Sequence, residues 1–473
     1  MLCCAFILVA PTAALLLLFL WVRKVKSESH RTFPGGQPIW GFFHPYCNAG
    51  GGGERVLWAA IRSVQERYPD HHCVVYTGDT DVTSDKIIDN AAKRFNIKLR
   101  KSSVHFIFLR HRNLVEAKPY PFLTILGQSM GSMILGLEAL FKFVPTIYVD
   151  TMGYAFTLPI FKALGRCQVA CYVHYPTIST DMLARVAERS TSHNNRSAIS
   201  RSQFLTSAKL VYYGAFAYLY KLCGRCADVI MVNSSWTRGH IVELWKVPQR
   251  TFLVYPPCNI EEFKTIKRTA DDPTRKEFRV LSIAQFRPEK DHKLQLLVFH
   301  RLKSELAEAE FSKVKLVLVG SCRNREDEER VESLKDLTAK LDLEANVEFK
   351  LNVPFEELEL EMEHASAAIH TMWNEHFGIG VVECMAAGLV MVAHDSGGPR
   401  LDIVTEYNGR QTGFLASDAD SYANVLKTLL TMPSAERLSI QMNGRLSSER
   451  FSDEVFNKLF LDVMEPMVSN TEL

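Results

Sequence analysis

Two successive series of short apolar runs, each run followed by a helical pattern, restrict this chain more than any single motif does. The first series reads "IWGFF" (Ile39–Phe43), a helix over Glu54–Tyr68 and "CVVYTG" (Cys73–Gly78). It continues with runs at Val104–Leu109, Thr146–Asp150, Val169–His174 and Val229–Val232. Runs this short, alternating with helical stretches, are the grammar of βαβ units and hence of parallel sheets. "VYPPCNIEEF" (Val254–Phe263) and the polar stretch Lys264–Lys276 break the pattern and read as a linker. A second series then restarts with "RVLSIA" (Arg279–Ala284), "KLVLVG" (Lys315–Gly320), "NVEFK" (Asn346–Lys350), "AAIHT" (Ala367–Thr371) and "LVMVAH" (Leu389–His394). The economical fold is α/β: two doubly wound parallel sheets with a cleft between them, over residues 36–262 and 277–448. Ligands of such sheets lie beyond the carboxyl ends of the strands.

A chain of 473 residues that is 47% hydrophobic exceeds one ordinary core, which fits this division. Lys+Arg 55 against Asp+Glu 53 leaves a formal charge of +2, so no basic field exists for nucleic acid. The 11 cysteines make no paired zinc pattern, and the lone C-x-x-C at Cys223 and Cys226 sits in an apolar, aromatic segment as plain buried thiols. Ala5–Val22 is uncharged and, as a helix, about 27 Å long, enough to cross a bilayer. "MLCC" supplies no basic start for a cleaved signal, whereas Arg23, Lys24 and Lys26 follow the run at once. Residues 1–26 therefore read as a membrane anchor with a basic flank, and the positive-inside tendency keeps everything after it cytosolic. The sequons Asn195-Arg196-Ser197 and Asn233-Ser234-Ser235 should then carry no sugar. Lys209–Gly224, apolar and aromatic but too short to span, suits either a membrane interface or a core helix.

The chemistry concentrates at "WNEHFGIGVVECMAAG" (Trp373–Gly388), which joins the run at Ala367–Thr371 to a helix starting near Gly378. A helix tip offers unpaired backbone N–H groups to an anion, and Gly378 and Gly380 keep side chains out of a phosphate's way. Glu375 precedes the turn, and Glu383 lies more than one turn into the helix, where a carboxylate can accept from a vicinal diol. The bland alternative, helix-start carboxylates favoured by the dipole, explains each glutamate separately but not the constellation.

"EHFGIGVVE" resembles the E-x7-E motif of retaining glycosyltransferases of the GT-B fold, which use nucleotide-activated hexoses. The resemblance extends through "FFHPYCNAGGGGERVLW" (Phe42–Trp58), "YVHYPTISTDML" (Tyr172–Leu183), "SIAQFRPEKDH" (Ser282–His292) and "DSGGPRLDIV" (Asp395–Val404). Within that superfamily these strings are most similar to the GDP-mannose-dependent α-1,2-mannosyltransferases that elongate dolichyl-diphosphate-linked oligosaccharide on the cytosolic face of the endoplasmic reticulum. The resemblance implies two Rossmann-like domains, the first for acceptor and the second for donor, with residues 449–473 forming a helix that crosses back to the first. It implies GDP-mannose as donor, a dolichyl-diphosphate-linked oligosaccharide as acceptor, two successive transfers, an endoplasmic reticulum membrane location and the company of the pathway's other mannosyltransferases. No cofactor and no metal are expected.

Carried over residue by residue, the resemblance gives Glu375 to the hydroxyls of the transferred sugar and Glu383 to the ribose. Lys290 goes to the diphosphate, where negative charge develops on the leaving group. The family's partner arginine falls at Gln285, with Arg287 two residues on as the alternative source of that charge. His376, Phe377, Gly378 and Ile379 form the donor-binding turn and helix tip. Gly52 and Gly53, in the glycine loop Gly50–Gly53, match a loop that approaches diphosphate and acceptor. His174 matches a histidine beside the transferred sugar, where a hydrogen-bonded packing histidine is the alternative. The implied reaction is hexosyl transfer with retention, the acceptor hydroxyl attacking on the leaving-group side and the departing phosphate taking its proton.

Three rival signals compete with this reading. "GQSMG" (Gly127–Gly131) fits the G-x-S-x-G elbow of a serine hydrolase with Ser129 as nucleophile, although Pro119 and Pro121 weaken the strand such an elbow needs. "DTD" (Asp79–Asp81) follows an apolar run as a metal-binding D-x-D would, while "DAD" (Asp418–Asp420) better suits a helix cap. A non-catalytic scaffold binding sugar nucleotide or lipid at the membrane is the third, opposed by the joint presence of both glutamates and Lys290.

Overall fold

The computed structural model describes residues 2–33, 35–178, 203–267 and 277–471, with side chains from residue 17 in the first helix and from residue 209 in the segment that follows residue 202. The sequon at Asn195, the end of the string that closes at Leu183, and the linker beyond residue 267 lie outside the described residues. The chain divides into two compact units, one formed by residues 1–233, 237–255 and 456–473, the other by residues 234–236 and 256–455.

The sheet of the first unit has seven described strands: β1 (Ile39–Phe43), β2 (His72–Thr77), β3 (Val104–Phe108), β4 (Ile147–Asp150), β5 (Gln168–Val173), β6 (Val229–Val232) and β7 (Thr251–Leu253). All pair in parallel in the order β3-β2-β1-β4-β5-β6-β7. Both faces of β1 are buried, and its period of two divides the core: Trp40 and Phe42 join one cluster, Ile39 and Phe43 the other. Gly41 between them is obligatory, because a Cβ there would stand 2.6 Å from Cγ of Pro145. The final helix, Asp453–Ser469, belongs to this unit from Phe456 onward and lays Phe456, Phe460, Met464 and Met467 into the Trp40 cluster at helical spacing. Each such side chain contributes roughly 2 kcal/mol of burial.

The second unit repeats the plan with β8 (Phe278–Ile283), β9 (Val314–Gly320), β10 (Val347–Leu351), β11 (Ala367–His370), β12 (Val390–His394) and β13 (Gly413–Ala416), parallel in the order β10-β9-β8-β11-β12-β13. The short edge strands β7 and β13 have too few apolar residues to show as runs in the sequence. In each sheet the order reverses once, between β1 and β4 and between β8 and β11, and the loops leaving these strands flank the place where doubly wound sheets hold ligands.

The first helix is continuous over Leu2–Thr32, so a boundary at residue 26 cuts through it. Its lower half is already part of the fold: Val22 and Val25 are core residues, and the Lys26 ammonium donates to Gly165 O at 3.0 Å and Arg166 O at 3.1 Å. Leu17, Leu20 and Trp21 on the same helix are exposed. Among the described residues, the helix long and apolar enough to cross a bilayer is Thr124–Lys142, and it sets Leu135, Ala139 and Leu140 in the core. In the helix Gln203–Gly224 both sequence alternatives have a face: Tyr213, Phe216 and Tyr220 are buried, whereas Val211, Tyr218, Leu219 and Leu222 are exposed.

Candidate functional site

The serine-hydrolase rival is corrected by local structure. Ser129 lies inside the helix Thr124–Lys142, buried, with its hydroxyl donating to Ile125 O at 2.8 Å; it is a back-bonded helical serine and no nucleophile elbow. The helical period of the apolar residues simply continues through the G-x-S-x-G spacing. Asp79 accepts from the Arg112 guanidinium, the Thr77 hydroxyl and the Asn48 amide, and Asp418 caps the helix Ala419–Thr431 through Ser421 N at 2.8 Å. Among the described residues no three acidic, histidine or cysteine side chains cluster to hold a metal ion. Cys223 and Cys226 are free thiols, and burial pushes Cys223 up to about 12, which makes it inert. The sequon asparagine Asn233 is buried and donates to His174 O at 2.9 Å, so the folded chain offers it no route to a glycan.

In the first unit the polar residues gather on loops leaving β1, β4 and β5. His44, just beyond β1, bonds Thr151 Oγ1 at 2.9 Å through Nδ1 and Glu54 Oε1 at 3.1 Å through Nε2. Glu54 stands in the first turn of the helix Gly52–Arg67 and also accepts from Gly51 N, closing the glycine loop onto the helix tip. Burial opposes its ionisation, but the bonds from His44 and Gly51 prevail and hold its carboxyl below the usual range. His174, just beyond β5, donates from Nε2 to Thr151 O at 3.0 Å, which fixes its tautomer. A Cβ on Gly53 would lie 3.5 Å from that nitrogen, so the glycine loop brings backbone up against the His174 ring. The structure thus brings Gly53 and His174 together, and adds His44 and Glu54, which sequence reasoning missed. A histidine at a strand end facing a glutamate at a helix start was the available signal.

In the second unit the loop after β8 carries Lys290 and the loop after β11 carries Glu375. The Lys290 ammonium and His370 Nε2 (3.2 Å) both meet Oε2 of Glu375, whose side chain is only 13% exposed. Burial raises the cost of the charge, yet the His370 hydrogen bond and the Lys290 charge outweigh it and hold the carboxyl far below the ordinary range. Glu375 is therefore an ionised acceptor and no proton donor. Thr371 staples the two loops: its hydroxyl donates to Lys290 O at 2.9 Å and accepts from Gln295 Nε2 at 2.9 Å. Gln285 is exposed; Arg287 sits 3.7 Å from Glu289 with its Nε buried and unpartnered.

The turn itself is braced from behind. Asn374 N donates to Ser396 Oγ at 2.7 Å and Gly398 N to Glu375 O at 2.8 Å. Gly397, at φ +61°, passes so close that a Cβ would meet Glu375 O at 2.2 Å. Phe377 is buried edge-on against Phe451, beside the half-buried His376. Gly378, at φ +112°, starts the helix Ile379–Ala386, and Val381 and Val382 amides bond back to Gly378 O. Ile379 and Gly380 thus supply the first-turn donors of the tip. A Cβ on Gly380 would lie 3.8 Å from Ile283 O at the end of β8, and Glu383 is half-buried further along the helix.

Solved structures share this architecture. Sucrose-phosphate synthase from Thermosynechococcus elongatus covers 92% of this chain and 100% of its own at 16% identity with a TM-score of 0.64. Anabaena HepE in complex with UDP and glucose covers 91% and 100% at 15% identity with a TM-score of 0.59. The family model described as "Glycosyl transferases group 1" matches residues 263–446. The chain is a glycosyltransferase of the GT-B fold. The model described as "ALG11 mannosyltransferase N-terminus" matches residues 37–245. A Xenopus laevis GDP-Man:Man(3)GlcNAc(2)-PP-Dol alpha-1,2-mannosyltransferase is 53% identical over 95% of this chain and 91% of its own, and the Homo sapiens protein of that name is 51% identical over 94% and 90%. This chain belongs to the GDP-Man:Man(3)GlcNAc(2)-PP-Dol alpha-1,2-mannosyltransferase family.

Proposed function

We propose that the chain transfers mannose from GDP-mannose in α-1,2 linkage, twice in succession, to a dolichyl-diphosphate-linked oligosaccharide, from the cytosolic side of the endoplasmic reticulum membrane. Relatives named for this reaction at 53% and 51% identity support the activity. The observation that carries the mechanism is the cluster of Lys290, Glu375 and His370 beside the helix tip at the reversal point of the second sheet. On this reading Ile379 and Gly380 amides and Lys290 hold the diphosphate, with Arg287's unpartnered Nε as a further donor. Glu375 accepts from hydroxyls of the mannose through the oxygen that Lys290 and His370 leave over, and Glu383 accepts from the ribose diol. His174 and the Gly52 and Gly53 backbone serve the transferred sugar and acceptor. As the glycosidic bond breaks, Lys290 meets the charge growing on the β-phosphate, whose oxygen removes the proton of the attacking hydroxyl on the same face.

The assay is direct. Detergent-solubilised full chain, offered radiolabelled sugar nucleotides and lipid-linked oligosaccharide acceptors, should accept label from GDP-mannose and yield product that an α-1,2-mannosidase cleaves. Label arriving from another nucleotide sugar, or none at all, overturns the reading. Because protein groups carry the leaving-group charge here, transfer is expected to persist in excess EDTA; abolition reversed by manganese would assign that charge to a metal. Glu383→Ala should raise the KM for GDP-mannose about tenfold or more with kcat little changed, the mark of a group that binds ground and transition states alike. An unaltered KM removes Glu383 from the ribose.

A further inference from the structure

Lys290 and His370 share one oxygen of Glu375, and only one of them is free to leave. The lysine stem is flexible, and its charge is the one the preceding reading gives to the diphosphate. His370 is pinned: it ends β11, pairs with Ala393 of β12, and its carbonyl accepts from the buried Tyr422 hydroxyl at 2.8 Å. Thr371 beside it is tied to the carbonyls of Lys290 and Asp291 at 2.9 and 3.1 Å. When the ammonium turns to a phosphate, Glu375 loses one of two side-chain partners while its own side chain is only 13% exposed. A carboxylate so confined drifts in rotamer or takes up a proton unless a fixed donor remains.

We propose that His370 is a positioning residue that takes over Glu375 during donor binding, holding Oε2 from Nε2 so that Oε1 stays aimed at the sugar hydroxyls after Lys290 has moved to the diphosphate. The inference rests on the assignment of Lys290 to that diphosphate. Nothing in the E-x7-E spacing requires a histidine at this strand end; the 3.2 Å contact does.

Three variants of the full-length chain test it, with kcat, the KM for GDP-mannose and GDP affinity measured for each. His370→Phe keeps ring volume without a donor and should lower kcat about 10- to 100-fold, the worth of one hydrogen bond to a charged group, with GDP affinity within about twofold. His370→Gln places an amide N–H near the Nε2 position and should recover most of the loss. His370→Ala should regain activity saturably with added imidazole. Equal losses in the Phe and Gln variants without imidazole rescue would make His370 a packing residue and overturn the proposal, as would full activity of His370→Phe. Lys290→Ala separates the two levels. If it binds GDP like the wild type, the donor assignment beneath the proposal has failed. If GDP binding falls but His370→Phe transfers normally, only the handover has failed.

Discussion

Glu375→Ala is expected to lower kcat for mannose transfer by about a hundred- to a thousandfold, the range seen when one preorganised polar contact to the transition state is removed, and to leave GDP affinity equal or higher. The asymmetry follows from the contacts of Lys290. Lys290 is occupied by Glu375, so deleting the carboxylate releases the ammonium to the diphosphate at no cost in donor binding. The variant should also fold, because Lys290 is 22% exposed and can turn to solvent, while the turn is held by backbone bonds to Ser396 and Gly398 that do not involve the deleted group. Steady-state kinetics, GDP titration and thermal unfolding on one preparation check all three statements. The depressed carboxyl adds a sign: its contribution to stability is present above about pH 4.5, its unfolded value, and is lost as the pH falls below that, so the wild type and Glu375→Ala should converge in stability in acid. Near-normal transfer by a folded Glu375→Ala protein removes the residue from the chemistry.

Lys290→Ala is expected to be as damaging by the opposite route. It should weaken GDP binding and lower kcat together, with kcat/KM down by about a hundred- to a thousandfold, because the lost charge faces a phosphate that becomes more negative as the bond breaks. It also leaves Glu375 buried with His370 alone, so the carboxyl rises toward its ordinary value and the acid side of the pH–rate profile should move upward. Lys290→Arg should not restore activity: the planar guanidinium is wider than an ammonium, and the lysine's place is bounded by Glu375 and by Met372 Sδ, 3.3 Å from the native ammonium. A Lys290→Ala enzyme with unchanged GDP affinity would move the diphosphate elsewhere.

The repeated strands were legible because parallel strands buried on both faces must be continuous apolar runs, as at Ile39–Phe43 and Val314–Gly320. The glutamates were legible because their spacing around Gly378 and Gly380 is itself chemical information. Other features had no such handle. Ser129 matched a motif by spacing alone, and only the helical period around it distinguishes a helix interior from an elbow. His44 bonds Thr151, and Glu375 meets Lys290, across 107 and 85 residues of chain, and contacts across the sheet order leave no local pattern. Gly397 and Gly398 lay in a string noticed for its resemblance, yet their purpose, bringing one loop within reach of Glu375 O, is visible only in three dimensions. The edge strands Thr251–Leu253 and Gly413–Ala416 were too short to register against the loops around them.

The claim on which the rest stands is that the tip of the helix Ile379–Ala386 and Lys290 grip the donor's diphosphate. A structure of the full chain with GDP measures it most directly. The account predicts phosphate oxygens within hydrogen-bond distance of the Ile379 and Gly380 amides, the Lys290 ammonium turned from Glu375 toward them, and the ribose diol on Glu383. GDP bound away from that tip, with Lys290 still on Glu375, would contradict it.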